Sequence, residues 1–463
     1  MDNLFYEKKF IWEELNEEEK KQVFEIGEDY KLFMDASKTE RLSIKEIVRR
    51  AERQGFKPLE EIKEIIPGTK VYYVNKGKSA ALAVIGKEKL ESGMNIVGSH
   101  VDSPRIDLKQ NPLYEEQGIC LLKTHYYGGV RKYQWVALPL ALYGKVVKAD
   151  GEKIDIAIGD DDNDPVFYIT DLLPHLAKDQ NEKKLGDAIE GEGLNVIIGS
   201  LPAESKDDEK KFRLNVLKIL NEKYGMIEED FQTAEFEIVP AGRARDVGID
   251  RGMISAYGQD DRVCAYTSLK AIFEVENNEK TAVALFADKE EVGSNGNTGM
   301  HSEFFNNMVA EMIMIENGSY SDIALKRSLA NSSMLSSDVA AGVDPTYKEV
   351  SEIQNAAIMG QGVAMIKYTG SRGKSGANDA NAEYIGKVRK VFNENNIIWQ
   401  TAELGKVDQG GGGTIAYIMA NLNMDVVDIG VPVLSMHAPF EVVSKTDVYM
   451  TYKAYKAFYN LYI

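Results

Sequence analysis

The sequence has little cysteine and no long apolar run. Its two cysteines, Cys120 and Cys264, lie far apart and form no CxxC or other spaced cluster, which argues against a thiolate metal site or a disulfide framework. We therefore expect two buried thiols in a protein of the reducing cytoplasm. No apolar stretch approaches the length of a membrane span, and the N-terminal segment MDNLFYEKKFIW lacks the apolar core of a signal peptide.

Positive charge is also scarce. The chain has 55 Lys and Arg against 73 Asp and Glu, a formal net charge of −18 at pH 7. This charge argues against binding to nucleic-acid backbones or to anionic membranes. The composition, 44% hydrophobic and 28% charged, is that of a globular protein, and 463 residues exceed one ordinary core. We therefore expect two domains.

Several catalytic motifs are absent. No two histidines have HExxH spacing, which excludes a thermolysin-type zinc helix. The GKS segments at 77–79 and 373–375 lack the upstream glycine of a P-loop, and Gly191 and Gly193 lack the third glycine of a dinucleotide fingerprint. No GxSxG elbow exists, which disfavours a serine hydrolase of that fold.

The apolar pattern predicts alternating helices and strands in both outer parts of the chain. Helical spacing covers residues 17–33 and 43–54, a hairpin is predicted at 70–85 with its turn at 75–78, and a helix at 446–462. Between Asn111 and Pro240 the chain has aromatic, glycine-rich segments, alternating strands and a charged surface stretch at 203–211. We interpret residues 111–240 as an inserted domain, and 1–110 with 241–463 as one discontinuous α/β domain.

Two adjacent glutamates, Glu290 and Glu291, follow a predicted buried strand at 282–287. In open α/β sheets, ligands bind in the crevice beyond the carboxyl ends of the strands. Neighbouring side chains there point in different directions, so one glutamate can bind a metal while the other transfers a proton. The alternative is a solvated charged loop, which is the usual fate of such runs.

Further polar residues are predicted at the ends of other strands and helices. His100 follows a strand at 94–98, and Asp102 has the spacing to fix the tautomer of a metal-binding imidazole, although an ordinary turn fits equally. Asp260 and Asp261 precede a helix at 263–275, where helix capping is the alternative.

Three more polar residues, Asp338, His437 and His175, are candidates for the same site. Asp338 ends an uncharged serine-rich stretch, and His437 ends an apolar strand predicted within 431–440. His175 lies on the apolar segment 172–177, where these residues alone favour a core or interface histidine. A two-metal site usually shares a bridging carboxylate. Imidazoles and carboxylates without a thiolate suit Zn, Mn or Co, and the set comprises His100, Asp260, Glu290, Glu291, Asp338 and His437.

Five segments of the chain resemble, in order and spacing, the motifs of the M18 aminopeptidases. They are HVDSP at 100–104, DD at 260–261, EEVGS at 290–294, SD at 337–338 and MH at 436–437. The match extends over nearly the whole chain and is similar to the bacterial branch related to aspartyl and vacuolar aminopeptidases. The resemblance implies a Zn-peptidase-like α/β/α sandwich with an inserted β-rich dimerisation domain, and dimers that assemble into a tetrahedral dodecamer.

The resemblance also implies a role for each candidate residue. Two divalent ions, most often Zn with Mn or Co as options, would be held by His100 and Asp338 on one side and by Glu291 and His437 on the other. Asp260 would bridge the ions, with Asp261 as the alternative bridging residue, and Glu290 would activate a metal-bridging water. Asp102 would support His100 from behind. His175 would stabilise the transition state in the neighbouring subunit, in place of the core role considered above.

Substrate preference is less constrained by the resemblance. The implied activity removes the N-terminal residue from peptides with a free N-terminus. Lys367 matches the lysine that the aspartyl enzymes place near an acidic side chain, but residues 368–378, 339–341 and 438–441 depart from the usual family text. A neutral first residue such as Leu or Met is therefore at least as well supported. Alternatives are a di-metal deacylase of N-acylated amino acids and a non-catalytic assembly protein.

Overall fold

The computed structural model describes residues 4–204 and 210–461, which divide into two compact units. The larger unit contains the chain up to Ser103, Ala244–Met436 and the part from Glu441 onward; the smaller contains Pro104–Arg243 and His437–Phe440. The boundaries predicted at 111 and 240 lie inside the smaller unit. Part of the charged stretch at 203–211 and the last residue of the helix predicted at 446–462 lie outside the described residues.

The larger unit is built on a nine-stranded mixed sheet. Its three central strands run parallel, with Met94–His100 between Thr281–Ala287 and Ser333–Ser337. The predicted hairpin is confirmed by the antiparallel pair at one side of this centre. In spatial order the strands are Lys57–Pro58, Lys70–Asn75, Ser79–Val84, Thr281–Ala287, Met94–His100, Ser333–Ser337, Asp425–Gly430, Val363–Ile366 and Trp399–Thr401.

Helices cover both faces of this sheet, because successive strand residues point to opposite sides. Ile96 and Val283 belong to one hydrophobic core, and their neighbours Val97 and Ala282 to the other. One core contains residues from Glu17–Ala36, Glu40–Arg53, Gln259–Phe273, Ala382–Glu394 and Lys445–Tyr459. The opposite core contains residues from Phe304–Asn317, Asp322–Ala330 and Ala416–Ala420. The result is an α/β/α sandwich.

A smaller five-stranded sheet completes the larger unit. Its strands, in spatial order, are Arg245–Val247, Met253–Ala256, Glu441–Ser444, Pro432–Leu434 and Ala340–Ala341. The strand predicted to end at His437 ends at Leu434 instead. The backbone then enters the left-handed region at Ser435 (φ 56°) and at His437 (φ 64°), which a strand cannot accommodate.

The smaller unit consists mainly of an antiparallel sheet. Pairing of Glu235–Pro240 with both Arg105–Glu116 and Pro139–Val147 closes six strands on themselves, and Lys153–Ile158 extends the sheet beyond Pro139–Val147. The remaining strands are Ile119–Tyr127, Val196–Gly199 and Phe167–Tyr168. Three helices accompany the sheet among the described residues of this unit: Lys178–Asn181, Leu185–Ala188 and Lys211–Tyr224. Across the described residues, no helix is long and apolar enough to cross a membrane.

Candidate metal centre

Three parallel strands end together at the candidate site. Ala287 pairs with His100, and Ser336 pairs with Gly98, so Asp338 leaves its strand beside His100. Glu290 and Glu291 follow Ala287 in a short 3₁₀ turn. The carboxyl ends of parallel strands meet at one edge of a sheet, which is where open α/β sheets bind ligands. Strand register thus brings together side chains from three distant parts of the sequence.

The imidazole of His100 lies at the centre of this group and is only 2% exposed. Its Nε2 is 3.2 Å from Asp260 Oδ1, 3.8 Å from Glu290 Oε2 and 3.9 Å from Asp338 Oδ1. On its other side, Nδ1 is 3.0 Å from the carbonyl oxygen of Asp102 and 3.3 Å from its Oδ1. Because both acceptors lie on the Nδ1 side, the ring is oriented with Nε2 facing the carboxylates.

Asp102 also holds the turn that carries the two glutamates. Its Oδ1 accepts the backbone N–H of Glu290 over 3.1 Å, and its Oδ2 accepts that of Glu291 over 3.2 Å. Lys289 precedes the turn in the left-handed region, with φ 65°. One fully buried carboxylate therefore orients the histidine and both glutamates. These contacts argue against the two alternatives of an ordinary turn at Asp102 and a solvated loop at Glu290.

Two groups of possible ligand atoms, each within 4.8 Å of one another, share His100. The first is His100, Asp260 and Glu291, and the second is His100, Asp261 and Asp338. Imidazole nitrogen and carboxylate oxygens are the donors that Zn, Mn and Co accept in proteins. The residues therefore fit divalent cations by their chemistry.

Capping of the helix Gln259–Phe273 is not the role of Asp260 or Asp261. The N-cap is Gly258, with φ 71°, and no side chain caps the helix. Asp261 Oδ2 accepts the backbone N–H of His100 over 3.2 Å, while Asp260 faces the imidazole. The capping alternative is wrong because Asp260 and Asp261 have non-helical backbone angles, and their carboxylates contact His100 instead of the N–H groups of the helix.

Burial and mutual repulsion shift the protonation of the group. Burial raises the pKa of Asp338 well above its ordinary value, and the charge of Asp261 raises it further. The pKa of Asp261 is raised by burial and by Asp260. Burial opposes a charged His100, but hydrogen bonds with Asp102 and Asp260 outweigh it and raise that pKa well above the ordinary value. Close carboxylates resist common ionisation, and a bound cation relieves this repulsion.

Gly430 is a further residue that the site requires and that sequence reasoning missed. It ends the strand Asp425–Gly430, and a Cβ at this position would lie 1.7 Å from the carbonyl oxygen of Asp338. Only glycine allows the two backbones to approach so closely. The pattern of a single sequence gives no signal for this contact, because it depends on how two strands pair.

The two remaining predicted histidines belong to the smaller unit. His437 Nδ1 is 3.0 Å from the carbonyl oxygen of Gly129, a contact that leaves Nε2 as the nitrogen for a ligand. His175 lies on the 3₁₀ turn Pro174–Leu176 and is exposed, beside the exposed side chains of Leu172, Leu173 and Leu176. A core role for His175 is therefore wrong.

Lys367 follows the strand Val363–Ile366 and is half exposed. Its Nζ is 3.8 Å from Asp379 Oδ1, and Lys374 Nζ is 2.9 Å from Oδ2 of the same carboxylate. Part of the positive charge in this region is thus already balanced within the chain.

Comparison with known proteins identifies the family of the chain. The family model described as aminopeptidase I zinc metalloprotease (M18) matches residues 33–459. A probable M18 family aminopeptidase 1 from Clostridium acetobutylicum is 52% identical, over 99% of each chain. The crystal structure of an M18 aminopeptidase from Thermotoga maritima has a TM-score of 0.95 at 46% identity, covering 99% of this chain and 100% of that one.

A more distant similarity concerns the fold alone. The structure of an mApe1 dodecamer from S. cerevisiae has a TM-score of 0.75 at 19% identity, over 94% of this chain and 96% of that chain. By the extent of the family match and the identity to its relatives, the chain belongs to the M18 family of zinc metalloproteases and is a metalloaminopeptidase.

Proposed function

We propose that this enzyme removes the N-terminal residue of peptides with two divalent metal ions, most often zinc. The observation that carries the proposal is the convergence of Asp260, Glu290 and Asp338 within 3.9 Å of one imidazole nitrogen of His100. In this assignment His100 and Asp338 would hold one ion, and Glu291 and His437 the other. Asp260 would contribute to both. Bound ions would polarise the scissile carbonyl and lower the pKa of the attacking water.

Glu290 moves the proton in this proposal. It accepts a proton from the attacking water and returns it to the nitrogen of the departing peptide, which becomes a free amine. Its carboxylate is close to the imidazole of His100 but is partly exposed, so solvent and substrate can reach it. A base in this position contributes about 10²–10⁴-fold to such reactions. Asp102 keeps Glu290 in place through the backbone N–H.

Substrate contacts are assigned to Lys367 and His175. The ammonium of Lys367 shares Asp379 with Lys374, which weakens its attraction for an acidic side chain and favours a neutral first residue such as Leu or Met. Rates on a panel of aminoacyl substrates with Zn, Mn and Co would test this preference. His175 would donate to the developing oxyanion from a neighbouring subunit, a contact worth roughly 3 kcal/mol in comparable sites.

The assembly follows from the same assignment. The exposed leucines around His175 would be covered in a dimer, and dimers would assemble into a tetrahedral dodecamer in the cytoplasm. The yeast dodecamer with the same fold supports this proposal. The chain mass of 51.6 kDa makes monomer, dimer and dodecamer easy to separate by sedimentation.

A pair of matched substrates tests the reaction. We expect the zinc-loaded enzyme to cleave a short peptide with a free N-terminus and to leave its N-acetylated twin intact. Preferential cleavage of the acetylated peptide would favour the deacylase alternative on the same fold. Saturable zinc binding without cleavage of either peptide would contradict the role assigned to Glu290. A large particle that binds no zinc tightly would favour the alternative of a non-catalytic assembly protein.

A further inference from the structure

The backbone of Asp260 is fixed by a buried glutamate that the proposed mechanism does not use. The N–H of Asp260 donates to Glu441 Oε2 over 3.1 Å. The carbonyl oxygen of Asp260 accepts a hydrogen bond of 2.7 Å from Ser103 Oγ. The two peptide groups that flank the Asp260 side chain are therefore both tied to surrounding protein, and the direction of its carboxylate is set by these ties.

The helix that begins at Gln259 does not supply this support. Asp260 has φ −80° and ψ 105°, which is extended rather than helical. The first N–H groups of a helix have no acceptor within the helix and need one from elsewhere. Glu441, which is 1% exposed, provides that acceptor in the interior of the unit.

Strand pairing explains how a residue so distant in sequence reaches Asp260. Glu441 is the first residue of the strand Glu441–Ser444, which pairs antiparallel with Met253–Ala256. In this register Glu441 lies opposite Ala256, and the helix that contains Asp260 begins three residues after Ala256. Strand pairing thus places Glu441 beside the first residues of this helix.

A second buried side chain holds Glu441 in turn. Gln259 Nε2 donates to the carbonyl oxygen of Glu441 over 2.6 Å and to that of Ile254 over 3.2 Å. Gln259 Oε1 accepts a hydrogen bond of 2.9 Å from the hydroxyl of Tyr30. Tyr30 and Gln259 are both fully buried. The amide uses donors and acceptor alike, so it links the helix Glu17–Ala36 to the backbone of Glu441.

We propose that Glu441 is a positioning residue: it fixes Asp260 so that its carboxylate faces His100 and the bound metal. The inference rests on the proposed function, since it takes Asp260 as a metal ligand. Glu441 acts through the peptide group of Asp260 and not on the substrate. Residues that orient metal ligands typically change metal affinity or activity by about 10–100-fold when they are replaced.

Three substitutions of Glu441 distinguish the effect of its side-chain length from the effect of its charge. Glu441→Ala removes the acceptor, and Glu441→Asp keeps the charge but withdraws it by one methylene. Glu441→Gln keeps an acceptor oxygen at the original distance. We expect zinc affinity and kcat to fall about 10–100-fold in the Ala and Asp variants, with KM nearly unchanged, and to be largely restored in the Gln variant. Zinc affinity is measured with zinc alone, by competition with a chelator.

Asp447 provides a matched control in the same unit. It is also a fully buried carboxylate, and it accepts the backbone N–H groups of Gly360 and Gly362 over 2.7 and 3.0 Å. Asp447→Ala should lower the melting temperature of the metal-free protein but leave zinc affinity unchanged. If the Glu441→Ala protein does not fold, the zinc affinity of the Glu441→Asp variant tests the proposal instead.

Wild-type zinc affinity in the Glu441→Asp protein would overturn the proposal. A loss of zinc affinity in Asp447→Ala equal to that in Glu441→Ala would overturn it as well, because the effect would then reflect general destabilisation. The zinc measurement needs no turnover. If the wild-type enzyme failed to cleave free-amine peptides, the proposed function would fail while the role of Glu441 could still be decided.

Discussion

Two aspartates of the larger unit, Asp246 and Asp338, have pKa values that are shifted in opposite directions. Asp246 Oδ1 accepts a hydrogen bond from Lys31 Nζ and forms an ion pair with Lys445 Nζ, each over 2.9 Å. Burial alone would raise the pKa of Asp246, but the two lysines outweigh this and lower it. Asp338 faces carboxylates and one imidazole, and burial together with Asp261 raises its pKa well above the ordinary value.

This comparison distinguishes a carboxylate that stabilises the fold from one that is suited to bind a metal ion. At Asp246 the chain supplies its own cations, one of them on the fully buried side chain of Lys445. At Asp338 carboxylates are gathered although they repel one another, which a stable fold would not favour for its own sake. Perturbed carboxylates that cluster at the end of a sheet are typical of functional sites. Four predictions test this comparison, in order from the largest expected effect to the smallest.

Glu290→Gln removes the proposed base without changing its shape. We expect kcat to fall about 10²–10⁴-fold while zinc content stays that of the wild type. Elemental analysis and steady-state kinetics on a free-amine peptide measure both quantities. Glu316→Gln is a suitable control, because Glu316 is half buried and accepts the backbone N–H of Leu90 instead. Undiminished turnover in the Glu290 variant would remove its role.

Asp102→Asn replaces one of two acceptor oxygens by a donor. Since Asp102 accepts the N–H groups of both Glu290 and Glu291, the amide would repel one of them. We expect zinc affinity and kcat to fall about 10–100-fold. Asp447→Asn is the matched control, with the same two backbone contacts elsewhere, and should keep both values. An Asp102 variant with wild-type zinc affinity would contradict the assignment.

Removing charge should affect the metal-free protein in opposite directions at the two aspartates. Asp246→Asn weakens a charged hydrogen bond with Lys31 and an ion pair with Lys445, and should lower the free energy of unfolding by about 1–3 kcal/mol. Asp338→Asn relieves repulsion and should raise it by about 1 kcal/mol or less, while zinc affinity falls. Urea unfolding of both variants with and without zinc measures the effect. Destabilisation by both in the absence of zinc would break the comparison.

The contribution of Asp246 should depend on pH with a defined sign. The lysines lower its folded pKa below the unfolded value of 3.8. Its stabilisation is therefore complete above pH 3.8 and disappears as the pH falls through the lower folded pKa. We expect the difference in unfolding free energy between wild type and Asp246→Asn to be constant near neutrality and to shrink below pH 4. A difference that grows in acid would contradict this sign.

The sequence predicts the strands that lead to His100 and to Glu290, because each is an apolar run that ends at a polar residue. His100 and Glu290 could be found in this way. Gly430 and Glu441 could not, because their contacts with Asp338 and Asp260 depend on the pairing of strands distant in sequence. Periodicity indicates where a strand lies and not which residue it faces.

One prediction and one alternative failed for reasons of local backbone geometry. The strand before His437 ends early because Ser435 and His437 itself adopt positive φ, and apolar composition does not report this conformation. Helix capping at Asp260 and Asp261 was a reasonable alternative because acidic residues favour helix starts. It fails because Asp260 and Asp261 have non-helical backbone angles, and both carboxylates contact His100 instead.

Metal-stripped protein reloaded with zinc tests the central claim most directly, namely that the carboxylates around His100 exist to hold cations. Zinc bound per chain is measured together with the rate of cleavage of a free-amine peptide. We expect saturation at about two ions per chain, with activity rising as the sites fill. Full activity after exhaustive chelation, or no saturable zinc binding by the folded protein, would contradict the account.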